Sequence, residues 1–342
     1  MSSWRYRVGM TDVLATVVAT RKSSPRPVGS KLVITEDGKL EGSVSGGCVE
    51  SDVFEAAQQV MADGTPRLLT YGITDDMAFS VGLPCGGEID VFVEPLRMPI
   101  DARSERAVVF TVIEGDPLGA KLLVREDGST EGDGPADLAA LAGDALRRGR
   151  GHTIQLEDRT VFADVFGPPP ILFVYGAVDT AEALCKTAKL LGWRTVVADA
   201  RARFATTERI PSADELLVAW PDEALAQQPP DTATAIFVLT HDDKFDLPML
   251  QAAVKTDAFY IGALGSRRNQ ERRRELLREA GLTDAELERI SGPAGLDLGA
   301  DSPAETALSM LAEALAVRAG RAGGRLQDSP RRIHAEPVAG KK

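Results

Sequence analysis

The sequence predicts an α/β protein: an N-terminal α+β domain built on a duplicated β-hairpin–helix–strand unit, followed by a Rossmann-like doubly wound parallel sheet domain. Two observations lead to this fold class. The first is an internal repeat in the N-terminal half, and the second is a change, after a proline-rich linker, to short apolar runs alternating with helices. We expect domains at 1–166 and 171–319, with a disordered basic tail at 320–342.

The repeat joins residues 29–42 (GSKLVITEDGKLEG) to residues 119–132 (GAKLLVREDGSTEG), which match at eight of fourteen positions. Each copy runs into a Glu-Asp-Gly turn, which is typical of a tight β-hairpin. An apolar strand candidate precedes each copy. Each copy is followed by a helix candidate, near 52–63 and 136–148, and then by a strand candidate, at 68–72 and 152–158. Because the flanks match as well, we interpret the repeat as a duplication.

The C-terminal half begins after GPPP at 167–170, a stiff linker that cannot continue a strand ladder. Short apolar runs then alternate with helical segments, which is the βαβ pattern. The runs are ILFVY (171–175), TVVAD (195–199), ELLVA (215–219), AIFVLT (235–240) and AFYIG (258–262). A closing helix is expected between Ser302, as its N-cap, and Gly320.

Composition excludes several classes of function. The net charge of −12 disfavours binding to nucleic acid or to an anionic membrane. No apolar run approaches the roughly 20 residues that span a bilayer, and the N-terminus lacks a signal-peptide pattern. We therefore expect a cytoplasmic protein. Its three cysteines, Cys48, Cys85 and Cys185, cannot build a disulfide framework and are expected to be reduced, with Cys185 a buried apolar residue of the first Rossmann helix.

Two glycine-flanked cysteines are the candidate site of the first domain. SGGCVE (45–50) and LPCGGE (83–88) supply the residues Gly46, Gly47, Cys48, Glu50, Cys85, Gly86 and Gly87. A thiol at the start of a helix meets backbone amides, which lower a thiol pKa and favour the reactive thiolate. The glycines would let a large ligand lie close to the backbone. Only the first copy of the repeat carries SGGCVE, so any chemistry is placed in that copy or between the copies.

Several interpretations compete for this pair of cysteines. Zinc is disfavoured, since no C-x-x-C or matching histidine completes four ligands. A cysteine–histidine nucleophile would need His152 or His241 nearby, without a local signature for it. Two buried structural thiols are the plain alternative. A grip on a sulfur-rich, phosphate-bearing cofactor explains the thiols and the glycines together.

The Rossmann-like half offers a weak dinucleotide signature. Of the G-x-G-x-x-G pattern only Gly176 is in place, and Val178 stands where a second glycine would admit a pyrophosphate. Asp199, at the end of the second strand, is suited to a ribose. The pattern favours the Rossmann-like fold and leaves NAD(P) binding in doubt.

Two further stretches follow strands of this half. His241 comes after the fourth strand, in LTHDDKFD. A glycine turn then leads into a helix, where Gly265, Ser266, Arg267 and Arg268 form a candidate phosphate cradle. The arginines at 272–274 are interpreted as a solvated helix face.

At these residues the sequence resembles the XdhC/CoxI family, accessory proteins for molybdenum hydroxylases. The resemblance extends from about Asp12 to Ala319. In the first domain it rests on LATVVATRKSSPRPVGSKLVI, GSVSGGCVE and LPCGGEIDVFVEPL. In the second it rests on VVADARARFAT, LTHDDKFDLPML, YIGALGSRR and GLDLGADSPAETALSMLAE.

The resemblance implies an accessory chaperone rather than a turnover enzyme. Such a chaperone binds molybdenum cofactor, as molybdopterin or its cytosine dinucleotide form, and assists its sulfuration and insertion into a hydroxylase of the xanthine dehydrogenase or carbon monoxide dehydrogenase type. The implied partners are a cysteine desulfurase, the large subunit of the hydroxylase and a second copy of the chain. Cys48 and Cys85 carry over as cofactor contacts, and Arg26 becomes a candidate anion contact.

One departure from the family pattern bears on the alternative function. The family's first Rossmann turn commonly reads Gly-x-Gly-His, whereas this chain has Gly176-Ala177-Val178-Asp179. The alternative is an NAD(P)-dependent oxidoreductase that uses the Rossmann-like domain, and Val178 argues against it because a branched side chain hinders close approach of a pyrophosphate.

Overall fold

A computed structural model describes residues 12–21, 24, 26–72, 87–97, 106–330 and 338–339. The chain divides into two units. The first comprises the described residues up to Pro168 together with those from Leu326 onward, and the second comprises Pro169–Arg325. Antiparallel pairing dominates the two sheets of the first unit, and the second unit has one parallel six-stranded sheet, so the predicted fold class is confirmed.

The first sheet of unit one has the strand order β3-β2-β1-β5-β4 and is covered by helix α1. Its elements are β1 (Val13–Arg21), β2 (Lys31–Ile34), β3 (Leu40–Gly42), α1 (Glu50–Asp63), β4 (Arg67–Tyr71) and β5 (Glu88–Pro95). Alternate residues of β1, such as Val13 and Val17, pack against α1. This alternation is what period-2 side-chain placement gives in a strand with one face on a helix.

The second sheet repeats this topology with the order β8-β7-β6-β10-β9. Its elements are β6 (Ala107–Glu114), β7 (Lys121–Arg125), β8 (Thr130–Gly132), a 3₁₀ helix (Ala136–Leu141), α2 (Ala142–Arg148), β9 (His152–Gln155) and β10 (Thr160–Phe166). Val18 and Phe92 of the first sheet cluster with Ile113 and Phe162 of the second, and each residue has its counterpart at the equivalent register position. The two copies are therefore related in three dimensions as well as in sequence.

Each copy has two strands after its helix, one more than the sequence pattern predicted. The additional strands, β5 and β10, lie in the middle of their sheets beside β1 and β6. They escaped prediction because acidic residues interrupt their apolar pattern. Asp90 and Glu94 of β5 are both buried, and each is satisfied by a basic partner.

Unit two has strands in the order β13-β12-β11-β14-β15-β16, all parallel. Its elements are β11 (Ile171–Tyr175), α3 (Asp179–Leu190), β12 (Arg194–Ala198), β13 (Glu215–Leu217), α4 (Pro221–Gln227), β14 (Thr234–Val238), α5 (Asp243–Ala253), β15 (Tyr260–Ala263), α6 (Arg267–Glu279), α7 (Asp284–Glu288), β16 (Ile290–Ser291) and α8 (Pro303–Arg318). This is the doubly wound Rossmann order, whose ligand crevice opens at the carboxyl ends of the neighbouring strands β11 and β14, where the strand order reverses.

The closing helix α8 has the predicted ends. Ser302 accepts a hydrogen bond from the Glu305 amide at 3.2 Å, and the Glu305 carboxylate accepts one from the Ser302 amide at 2.9 Å. Gly320, with φ +61°, follows the last turn. In the part of the chain that the structure describes, no helix is both long and apolar enough to cross a membrane.

The described part of the tail contains two short elements. Leu326–Asp328 forms a 3₁₀ turn, and β17 (Val338–Ala339) pairs in parallel with β9. β9 is the outer strand of its copy, and an outer strand offers backbone groups to any extended segment, whatever its side chains.

Candidate functional site

The described segments flanking the cysteine motifs meet at one end of the first sheet. The strand ends there are Arg21 of β1, Lys31 of β2, Gly42 of β3 and Glu88 of β5, as the pairing of Arg21 with Glu88 and of Leu32 with Gly42 shows. We call this the cysteine end, and it comprises the turn at 26–30, the loop at 43–49 and Gly87. Neighbouring strands lie about 4.8 Å apart, so these segments are within a few strand widths of one another.

The loop at 43–49 is organised from inside by the carboxylate of Glu50. This side chain folds back from the first turn of α1 over the loop that precedes it. It accepts hydrogen bonds from the amides of Val44 (3.3 Å), Ser45 (3.0 Å), Gly46 (3.1 Å) and Gly47 (2.8 Å) and from the hydroxyls of Ser43 (2.7 Å) and Ser45. The loop amides therefore face an internal anion.

This arrangement differs from the expectation that backbone amides at the helix start meet the Cys48 thiol, because Glu50 binds the amides that precede it. The amides of Cys48 and Val49 also have a partner, since both donate to the Ser45 hydroxyl at 2.9 Å. Partial burial alone would raise the pKa of Glu50, but the hydrogen bonds from Ser45 and Ser43 and from the loop amides outweigh it and lower the pKa to about 2. Glu50 is thus ionised at neutral pH and positions the loop.

Gly46 and Gly47 are required by the backbone of this loop. Their φ angles are +76° and +111°, in the region that only glycine adopts without strain. A Cβ atom at either position would meet no atom within 4 Å, so the outer side of both residues is open. The loop accordingly offers accessible backbone next to Cys48, which is half-buried against the core below α1.

The other predicted residues of the first unit are distributed as follows. Arg26 is exposed on the turn between β1 and β2, and the Ser24 hydroxyl donates to its carbonyl at 2.7 Å. Gly87 directly precedes β5 at the cysteine end. Cys85 and Gly86 lie outside the described residues.

The described residues give no support to a histidine partner for Cys48. His152 is buried in β9 of the second sheet, where its Nδ1 lies 3.1 Å from the Arg150 carbonyl and burial lowers its pKa. Within the described ranges, no group of three or more His, Cys, Asp or Glu side chains could hold a metal ion. Cys185 is fully buried in α3, as predicted, and burial raises its pKa to about 12.

In unit two, Gly176 and Asp199 both stabilise the first strand-to-helix turn. A Cβ on Gly176, whose φ is +114°, would meet Thr240 Cγ2 at 3.0 Å, so glycine allows close packing of this turn on the end of β14. The Asp199 carboxylate accepts the Ala177 amide at 2.9 Å and both the Nε and Nη2 of Arg201. With its side chain 1% exposed, Asp199 organises the turn and leaves no open oxygen for a ribose.

His241 is exposed beside this turn and has φ +59°, an uncommon conformation for a residue other than glycine. The surrounding helix starts are acidic. Asp179 and Glu182 lie in the first turn of α3, and Asp242 and Asp243 begin α5. The chain's own acidic residues thus occupy both helix starts, and Asp199 binds the Ala177 amide of the turn at 2.9 Å.

The start of α6 has the opposite charge. Ser266 is the N-cap, accepting the Asn269 amide at 3.3 Å, and Gly265 has φ +142°. Arg267 and Arg268 are exposed in the first turn, which contains no acidic residue. Ser266 is thus bound to its own helix, while the two arginines face solvent.

Two family descriptions match the chain: "XdhC and CoxI family" over residues 7–72 and "XdhC Rossmann domain" over residues 172–314. The molybdenum cofactor insertion chaperone PaoD of Escherichia coli (strain K12) is 32% identical over 310 residues, which cover 91% of this chain and 84% of PaoD. The chain belongs to the XdhC and CoxI family. The predicted resemblance is therefore confirmed.

Two further relatives of this family member share its length. A probable xanthine dehydrogenase subunit of Bacillus subtilis (strain 168) is 28% identical over 316 residues, covering 90% of this chain and 93% of the relative. A crystal structure described as a xanthine dehydrogenase from Bacillus halodurans superposes with a TM-score of 0.58 at 25% identity, covering 93% and 94% of the two chains. The fold is thus similar to that of a solved structure over most of both chains.

Sequence reasoning missed two features of this XdhC and CoxI family member. The first is the pair of serines, Ser43 and Ser45, that complete the polar interior of the cysteine loop. Their signal is the spacing of hydroxyl residues before a glutamate at the start of a helix, a variant of the capping box. The second is Arg273, which was assigned to a solvated helix face.

Arg273 is instead 4% exposed. Its guanidinium donates to the buried carboxylate of Asp246 at 2.6 Å and to the side chain of Gln270 at 2.9 Å. Asp246 also accepts from the Thr240 hydroxyl, and desolvation raises the pKa of its carboxyl group. This network fixes α5 and α6 beneath the ends of β14 and β15. A run of arginines gives no signal for which member is buried.

Proposed function

We propose that this chain is a molybdenum cofactor insertion chaperone that holds its cargo at the cysteine end of the first sheet and passes it to a molybdenum hydroxylase. The observation that carries the proposal is the Gly46-Gly47-Cys48 loop. Its polar groups are bound internally by Glu50, while its glycine backbone is open and its thiol is half-buried. Membership in the same family as PaoD, a molybdenum cofactor insertion chaperone, supports molybdenum cofactor as the cargo.

The residues at the cysteine end suit such a cargo. A cysteine sulfur is a soft ligand that matches a sulfur-rich metal centre. The exposed guanidinium of Arg26, on the same end of the sheet, would pair with the phosphate of the pterin. Because Glu50 keeps the loop in one conformation before the cargo arrives, binding would cost little ordering entropy.

The finer parts of the proposal concern the other participants. We propose that the cargo is molybdopterin or its cytosine dinucleotide form, that a cysteine desulfurase supplies sulfur for its sulfuration, and that the recipient is the large subunit of a xanthine dehydrogenase or carbon monoxide dehydrogenase type hydroxylase. The chain would act in the cytoplasm, as a homodimer and without a turnover reaction of its own. Residues 1–166 would handle the cofactor, with Cys85 as its second thiol contact.

The test is anaerobic loading of purified protein with molybdenum cofactor, followed by fluorescence measurement of the pterin after oxidative release. Cys48→Ser should retain less bound pterin by about tenfold or more, in line with the loss of a metal contact. Cys85→Ser tests the segment outside the described residues. Cys185→Ala is the matched control, because that thiol is buried in unit two and should not affect loading.

Two results would contradict the proposal. One is the absence of bound pterin in every form of the protein. The other is wild-type loading in Cys48→Ser, which would remove the thiol from the site. Loaded wild-type protein should also activate an apo-hydroxylase faster than free cofactor does, and equal rates would exclude an insertion role.

A further inference from the structure

Unit two contains a cavity of about 320 Å³ beside α6, away from the turn that carries Gly176. One wall is a single face of α6, where positions 267, 270, 274 and 277 recur at helical spacing. The opposite wall comes from α7 and from β16 with the residues after it, including Leu287, Ile290 and Pro293. The volume falls in the range of small-molecule sites.

The polar part of this cavity is cationic. Among the described residues that line it are three arginines, Arg267, Arg273 and Arg274, and one carboxylate, Glu271. The charge of Arg273 is already paired with buried Asp246 at 2.6 Å, so Arg267 and Arg274 supply the positive charge. Arg267 and Arg274 are exposed and form no ion pair with any described residue. Arg273 is buried, and its Nε atom has no hydrogen-bond partner among the described residues. In a chain of net charge −12, two arginines on one wall of a cavity, without a salt-bridge partner in the part of the chain that the structure describes, are a specific feature. They mark the cavity as an anion site.

The remaining lining is apolar. Leu277 and Leu287 are buried at its floor, and Ile290 and Pro293 close one side. A bare inorganic anion would leave this surface unused. A ligand with a charged group and a compact organic portion would satisfy both parts of the cavity.

We propose that this cavity binds a small phosphomonoester of nucleotide size. Its phosphate would pair with Arg267 and Arg274, and its organic portion would pack on Leu277 and Leu287. The charges of the neighbouring helix starts favour this location, since α3 and α5 begin with acidic residues and α6 does not. The site is distinct from the cysteine end and does not rest on the proposed chaperone function.

Isothermal titration of the full chain at fixed ionic strength tests this site, with CMP, AMP and inorganic phosphate as the three ligands. The double variant Arg267→Gln/Arg274→Gln should weaken nucleotide binding by about tenfold or more, as expected for the loss of charge-assisted hydrogen bonds. Glu271→Gln should tighten binding severalfold, because it removes the one carboxylate in the lining. General damage to the fold cannot produce that second effect.

Arg278→Gln is the matched control. Arg278 lies one turn further along α6, outside the cavity lining, and pairs with Asp284 at 2.9 Å on the surface. We expect it to bind nucleotides as the wild type does. An equal loss in this control would indicate a diffuse charge effect and would overturn the proposal.

The three ligands separate the remaining outcomes. If the nucleotides bind more tightly than inorganic phosphate, the apolar residues contribute to binding as proposed. A difference in affinity between CMP and AMP would show that the base is recognised. Nucleotides that bind no better than phosphate would contradict the assignment of the organic portion. No binding of any ligand would overturn the site altogether. Pterin loading is measured separately, so failure here leaves the chaperone proposal unaffected, and the reverse also holds.

Discussion

The two copies in the first unit have the same strand order but different connections at equivalent ends. Between the third strand and the α-helix, the first copy has the glycine loop at 43–49, whereas the second has residues 133–135 followed by the 3₁₀ helix Ala136–Leu141. Between the fourth and fifth strands, the first copy has residues 72–87 and the second closes with a short hairpin at 156–159. Each of these two connections of the first copy contains a cysteine in its sequence. The duplicated sheets thus supply one scaffold twice, and the candidate chemistry lies in the loops of one copy.

The copies also stabilise each other through reciprocal ion pairs. Lys31 of the first copy pairs with Asp164 of the second at 2.6 Å, and Lys121 of the second pairs with Glu94 of the first at 2.7 Å. The two lysines occupy matching positions of the repeat, and the two acids occupy matching register positions. The Lys121 pair is the more buried, with side chains 11% and 6% exposed against 20% and 16% for the other.

The largest expected effect comes from breaking the more buried pair. Lys121→Met should lower the free energy of unfolding of unit one by about 3 kcal/mol, because it leaves the buried carboxylate of Glu94 without a counter-ion. Lys31→Met should cost about half as much, since its partner is closer to water. Hydrogen exchange on unit-one peptides measures both losses, with unit-two peptides as the internal reference.

The pH dependence of the stability of Lys121→Met shows whether the unpaired Glu94 carboxylate causes the loss. Desolvation raises the pKa of Glu94 above its ordinary value, and loss of Lys121 removes the main opposing interaction. The folded variant therefore binds a proton more tightly than its unfolded chain does, so its stability decreases as pH rises above the unfolded value near 4.5. We expect Lys121→Met to be more stable at pH 5 than at pH 7. A loss independent of pH would indicate a packing defect instead.

The next effect concerns Glu50, whose carboxylate organises the loop at 43–49. Glu50→Ala should lower the stability of unit one by about 2 kcal/mol, because loop amides and two serine hydroxyls lose their acceptor. Glu55→Ala, on an exposed position of the same helix, is the control. The pKa of Glu50, at about 2, is below its ordinary 4.5, so its contribution is complete above about pH 4.5 and is lost as pH falls toward 2. Equal acid sensitivity of Glu50→Ala and wild type would contradict this role.

The sequence predicted the parts of the fold that local patterns determine. The hairpins of the repeat, the Rossmann strands β11 to β15 and the caps of α8 all follow from apolar periodicity and capping residues. Strands β5 and β10 could not be predicted in this way. Their acidic residues become acceptable in a central strand only because a lysine from the other copy pairs with them, and that lysine is distant in sequence.

The same distinction applies to the candidate site. Cysteine and glycine motifs indicated where the first copy departs from the second, and the structure places Gly87 and the loop at 43–49 at one sheet end. The roles of Glu50 and Asp199 could not be predicted. Each was expected to contact a ligand, yet each carboxylate is bound by the chain's own amides, and such a partnership depends on backbone geometry that residue type does not specify.

Replacing one glycine in each copy by alanine separates the cost of backbone strain from the effect on cofactor loading. Gly47 in the cysteine loop has φ +111°, and Gly128 in the second-copy hairpin has φ +83°; a Cβ at either position would meet no atom within 4 Å. Gly47→Ala and Gly128→Ala should therefore cost about 1 kcal/mol each, from backbone strain alone. Only Gly47→Ala should also reduce pterin loading. Equal loading by the two variants would show that the loop conformation does not matter to the cargo.

The smallest effect on stability is expected at the turn before the second strand of each copy. At this turn we also expect the clearest difference between the two copies in their effect on cofactor loading. In the aligned turns, exposed Arg26 of the first copy stands where the second copy has exposed Asp116. Arg26→Asp should change stability by less than about 0.5 kcal/mol, as is usual for surface positions. It should nevertheless weaken cofactor loading severalfold, since it replaces the proposed phosphate contact with a like charge.

Asp116→Asn, at the same place in the second copy, should leave both stability and cofactor loading unchanged. If Arg26→Asp binds as much cofactor as the wild type does, the phosphate contact must be assigned to another residue. The proposed thiol contact is tested separately, by the loading of Cys48→Ser.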